Sequence, residues 1–130
     1  EIKPDSDTIE NIVIMVKRSL AFWKEYGPII KDGFTFEGGY TDIVSSGDGD
    51  YLTRDTLWDF KVSKEEPKSK YTLQLLMYYI MGCHSIHPEF KQIEKLGIFN
   101  PRKNKVYIAN ISLISPEIIE KVSRDVIGYK

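Results

Sequence analysis

The stretch Leu57-Trp58-Asp59-Phe60-Lys61-Val62-Ser63 decides how the rest of the chain is read. It is rich in bulky apolar residues and runs into a polar segment, which predicts a strand. Side chains on a strand alternate faces. Asp59 and Lys61 therefore share one face, and Trp58, Phe60 and Val62 share the other. A carboxylate and an ammonium at the end of a buried strand are costly unless paired or used. The pair fits a structural ion pair. The reading preferred is a metal ligand beside a lysine able to hold a nucleophilic water.

On the N-terminal side, residues 34–46 predict a strand antiparallel to residues 51–62. Gly38-Gly39 marks a bend in it, so the facing of the residues before Gly38 is left open. Gly47-Asp48-Gly49-Asp50 reads as the connecting turn, and Arg54-Asp55-Thr56 as a tip or irregularity inside the second strand. On the C-terminal side, residues 63–69 are polar and contain proline, hence a loop. Ser69 is placed to cap a helix over 70–81, with Gly82 as its stop. That helix is apolar almost all round, as a buried helix is. Gln74 and Tyr78, four apart, form its polar exception.

Further out, Ile9, Ile12, Val13, Val16, Leu20 and Trp23 form one apolar stripe, predicting a helix over 8–26. Asp7 is the expected N-cap, Glu10 closes a capping box, and Gly27-Pro28 is the stop. After a short helical stretch over 87–92, residues 96–100 and 106–113 predict two strands joined by a turn at 100–104. Ser115-Pro116-Glu117 opens a last helix. The predicted order is α-β-β-α-β-β-α, a mixed α/β sheet with helices against it.

The chain has 130 residues, enough for one domain with one core, and 42% of them are hydrophobic. Beginning at Glu1 without Met, it reads as a piece of a longer chain. No basic segment followed by an apolar run opens the given sequence and no run of eighteen apolar residues occurs in it, so no membrane partner is expected. The single cysteine, Cys83, excludes an internal disulfide and a four-cysteine cluster, and fits a cytoplasmic setting. A net charge of -1 means that nucleic-acid binding would need a local patch. Lys61, Lys64, Lys68 and Lys70 form one candidate. Lys91, Lys95, Arg102, Lys103 and Lys105 form another. Tyr40, Tyr51, Trp58 and Tyr71 are candidates to stack on bases, or core residues.

Taken together, Gly39-Tyr40-Thr41-Asp42-Ile43, a hairpin, Trp58-Asp59-Phe60-Lys61 and Gln74-Leu75-Leu76-Met77-Tyr78 resemble the RecB-like branch of the PD-(D/E)XK nucleases. In that family an acid on one strand and a (D/E)-x-K on the next form the metal site, and a Q-x-x-x-Y helix follows. The resemblance covers residues 8–112 and implies a restriction-endonuclease-like core over a single domain, residues 1–130. It implies that Asp42 and Asp59 ligate Mg²⁺, with Mn²⁺ able to substitute, and that the Phe60 carbonyl adds an oxygen. Lys61 would orient the attacking water, and Gln74 and Tyr78 would position phosphate or the motif strand. A further acid on the first helix falls to Glu10 or Glu25, and Glu37 is a weaker candidate.

The implied activity is metal-dependent DNA hydrolysis, exonuclease-like, of the kind used in DNA repair and recombination. The alternative is a catalytically silent nuclease-fold module that docks DNA in a helicase or phage recombination complex. Such a site reads phosphate, so it does not separate DNA from RNA, and a homo-oligomer is compatible with it. Two other motifs point elsewhere. Asp48-Gly49-Asp50 hints at a calcium loop without EF-hand spacing. Cys83, His84 and His87 hint at zinc without a Cys-x-x-Cys partner; packing after a helix explains them.

Overall fold

The computed structural model describes residues 5–66 and 68–130. The elements are helix α1 (Ser6–Tyr26), strands β1 (Lys31–Thr35), β2 (Asp48–Leu52) and β3 (Thr56–Phe60), helix α2 (Ser69–His84), strands β4 (Lys95–Asn100) and β5 (Lys105–Asn110), and helix α3 (Pro116–Lys121). A 3₁₀ turn at Pro88–Gln92 precedes β4, another at Ile111–Leu113 follows β5, and α3 continues as a wider π-helical turn over Val122–Ile127. The five strands form one mixed sheet in chain order. β3 and β4 are parallel, joined through α2, and every other neighbouring pair is antiparallel.

The segment before α2 therefore holds three strands where two were expected. Residues 48–50, expected as a turn, lie inside β2, because Thr35 pairs with Asp48 and Phe34 with Gly49. The reversal comes later, where the Thr53 amide donates to the Thr56 carbonyl at 3.0 Å. Trp58 Nε1 donates to Thr53 Oγ1 at 3.0 Å, so the tip is pinned to the strand it opens. The first strand stops at Thr35 rather than Ser46. Beyond it the backbone is drawn onto the end of α2, where a Cβ on Gly39 would stand 2.2 Å from the Met81 carbonyl oxygen. A glycine at that point is what permits the approach.

α1 is capped by Asp5, whose carboxylate accepts from the Thr8 amide at 2.7 Å, and not by Asp7. Its apolar stripe is only partly used. Phe22 stacks on Phe99 (centroids 4.2 Å apart) and meets Trp58 edge-on (4.6 Å). These three are buried, with Trp23, Tyr26, Tyr51 and Phe60 packed around them. Toward the N-terminus, Ile9, Ile12, Val13, Val16 and Leu20 are exposed. Arg18 marks the change, donating to the Pro101 and Arg102 carbonyls at 3.0 Å each.

The larger core lies on the opposite face, where Leu57, Leu75, Leu76, Ile80, Met81, Leu96 and Ile98 are buried. α2 begins one residue early, without a side-chain cap, and runs through Gly82 to His84. Gly82 is a packing position, since a Cβ there would sit 2.2 Å from the Phe90 ring. Ser115 caps α3 as expected, accepting from the Ile118 amide. Among the described residues, no helix is long and apolar enough to cross a membrane.

Candidate functional site

β3 alternates as its sequence predicts. Trp58 is 1% exposed, and Trp58 and Phe60 enter the aromatic cluster under α1. Leu57 enters the core under α2, and Asp59 and Lys61 follow it on that face at the strand's end. Lys61 Nζ stands 3.2 Å from Asp59 Oδ2 and 4.8 Å from the centroid of the Tyr71 ring on α2.

The second carboxylate comes from β2. Tyr51 pairs with Trp58 and Leu52 with Leu57, so the next step of the register brings Asp50 opposite Asp59. Gly33, whose φ of 52° only glycine adopts readily, falls opposite Asp50 on the other side. Asp50 Oδ2 reaches across to β3 and accepts from the Phe60 amide at 3.0 Å. Phe60 thus meets the site through its N–H, whereas the expectation was that its carbonyl oxygen would ligate an ion, a role an N–H cannot take. Burial pushes the Asp59 carboxyl up to about 7, and the adjoining Asp50 adds to the rise while Lys61 opposes it. A carboxyl group this crowded by a second acid gains from a cation that neutralises both.

Gln74 Nε2 donates to the Tyr78 hydroxyl at 3.1 Å, so these two residues act as one unit. The Tyr78 ring packs against Phe36 at 4.9 Å and against Gly47, just before β2. Burial raises the Tyr78 phenol, and the charges of Asp59, Lys61 and Asp48 also reach it. The helix pair, the lysine and the acids of β2 and β3 therefore converge.

Two candidate residues are not brought there. Asp42 is exposed on the segment between β1 and β2. That segment is tied toward the C-terminus, where Thr41 Oγ1 donates to the Ile127 carbonyl. Glu10 is exposed in the part of α1 that extends beyond the aromatic cluster. Neither is among the groups acting on Asp59, and Glu25 and Glu37 are exposed as well. Asp50 was missed because Gly-Asp-Gly-Asp spells a turn. The available signal was an acid placed to face Asp59 once the hairpin tip is set at 53–55.

Among the described residues, no three His, Cys, Asp or Glu side chains are arranged to hold an ion. The donor set is two carboxylates, which suits an oxygen-seeking ion that retains waters. The zinc hint is otherwise used. His84 stacks on Tyr129 at 3.8 Å, and His87 Nε2 lies 2.7 Å from the Thr35 carbonyl oxygen.

The basic patches are divided by the fold. Lys95 pairs with Asp55 at 3.5 Å, at the opposite end of β3 from the acids. Lys103 and Lys105, on the β4–β5 hairpin, pair with Glu66. The loop carrying Glu66 begins at Lys61. Compared with family models, with characterised proteins and with solved structures, the chain matches none.

Proposed function

We propose that this domain is a metal-dependent phosphodiester hydrolase acting on DNA, built on a restriction-endonuclease-like core. The observation that carries the reading is Asp50 and Asp59 meeting across neighbouring strands with Lys61 3.2 Å from Asp59. The order agrees with the resemblance: an acid on one strand, Asp-x-Lys on the next, then a Gln-x-x-x-Tyr helix. Asp50 takes the place first given to Asp42.

In this reading Asp50 and Asp59 hold Mg²⁺ or Mn²⁺. The bound ion supplies positive charge against the attacked phosphate and makes water more acidic. Lys61 donates a hydrogen bond to the attacking water at the edge of the pair and so orients it. Tyr78, braced by Gln74, walls the site on the α2 side and offers its hydroxyl to a phosphate oxygen. An exonuclease-like action on strand ends belongs to the same proposal.

The test is digestion of single-stranded and duplex DNA with Mg²⁺, Mn²⁺ or chelator, with RNA alongside. Cleavage that needs the ion and disappears in Asp59→Asn is expected. Lys61→Ala is expected to lower the rate by about 10²–10⁴-fold. Cleavage in chelator, or full activity in both variants, defeats the reading. The sparse donor set favours one second reading, a silent DNA-docking module. It wins if the protein binds DNA with steep salt dependence yet never cuts.

A further inference from the structure

The Glu66 carboxylate is held by three donors from the β4–β5 hairpin. Lys103 Nζ is 2.5 Å and Lys105 Nζ 3.3 Å from Oε1, and the Tyr107 hydroxyl donates to Oε2. The position is built rather than incidental. Asn100, 3% exposed, donates to the Ser63 carbonyl at 2.7 Å and accepts from the Arg102 amide at 3.0 Å. Loop and hairpin are thereby clamped to one another. Glu66, Tyr107, Tyr71 and Lys61 line one cleft, and Lys61 is the residue beside Asp59.

Two ammonium groups and a phenol around one carboxylate leave an excess of positive charge. A phosphodiester presents the same pattern as that carboxylate, one negative charge spread over two outward oxygens. Glu66 is exposed, and exposed ion pairs contribute little to stability, so the carboxylate can leave without disturbing the fold.

We infer that Lys103, Lys105 and Tyr107 form a seat for a backbone phosphate of a DNA strand whose neighbouring phosphate lies at Asp50 and Asp59, and that Glu66 fills this seat in the free protein. The inference rests on the nucleic-acid reading of the acid site, and extends it to where the strand runs.

The experiment is fluorescence anisotropy with a short labelled single-stranded oligonucleotide in chelator, so that cleavage plays no part. Glu66→Gln is expected to tighten binding about 3–10-fold. In that background, Lys103→Ala and Lys105→Ala should each weaken binding and flatten the salt dependence by about 0.7 in slope. Tyr107→Phe should weaken it slightly. Unchanged or weaker binding in Glu66→Gln overturns the inference, as does absence of binding in every variant. A parallel titration with inorganic phosphate follows the Tyr107 ring signals by NMR. Seating of phosphate as tightly as the oligonucleotide would make this a small-anion site and also overturn it. The two readings fail separately. Cleavage by the wild type with no response to Glu66→Gln leaves the hydrolase and removes the seat. Tighter binding without cleavage does the reverse.

Discussion

The two faces of β3 are made by neighbouring residues and obey opposite rules. Under α1, Trp58 and Phe60 meet Phe22, Trp23 and Phe99 in an aromatic cluster. A Cβ on Gly97 would lie 2.4 Å from the Trp58 ring, so that face has no room to spare. Under α2, Asp59 and Lys61 follow Leu57 to the sheet's end, where Asp50 crowds a carboxyl already disfavoured by burial. One face adds stability through contact. The other holds charge that the fold alone does not favour, and such strain is common where a site is used.

The largest expected effect lies on the charged face. Asp50→Asn and Asp59→Asn should each lower cleavage by on the order of a thousandfold. Asp42→Asn should change it less than about threefold, because the loop carries Asp42 elsewhere. Equal loss in Asp42→Asn and Asp50→Asn, measured as initial rates, would break the placement. Next comes the aromatic face. Phe22→Ala should destabilise by about 3–5 kcal/mol in urea unfolding, while the folded fraction keeps its specific activity.

The sharpest contrast is smaller. In the folded chain burial holds the Asp59 proton up to about 7, against an ordinary value of 3.8. Between those values the native state binds the extra proton, so stability falls as pH rises through that window, and the full penalty is present above it. Asp59→Asn removes the ionisation. The variant should be more stable than the wild type by on the order of 1–2 kcal/mol above about pH 8, after discounting for solvent screening. The difference should shrink toward about pH 4. Urea midpoints across this range decide it, and a loss of stability at high pH would make both faces of β3 structural. Smallest is Tyr78→Phe. It loses the Gln74 hydrogen bond but keeps the ring against Phe36, and should cost under about 1 kcal/mol.

Much of the fold was legible. The alternation in 57–61 placed Asp59 and Lys61 on one face and Trp58 on the other, as found. The Ser115-Pro116 start of α3, the Pro88–Gln92 turn and the β4–β5 hairpin also follow their local signals. The first hairpin did not. Gly47-Asp48-Gly49-Asp50 has turn composition, yet it pairs with β1, and pairing energy from a distant strand outweighs local preference. The stripe of α1 was read correctly as a helix, but spacing says only which residues share a face. It does not say that contact begins only near Phe22.

What the sequence determined by itself is what acts over a few residues: strand alternation in β3, helix spacing, the Ser115 cap of α3, and the partnership of Asp59 with Lys61. The tertiary structure alone decided which second acid joins them. Asp42 and Asp50 are the same residue type, and both precede β3 in the chain. Only the register of β2 on β3, with the tip at 53–55, carries Asp50 to the Phe60 amide. Register is a property of two strands together, and no stretch of either strand contains it.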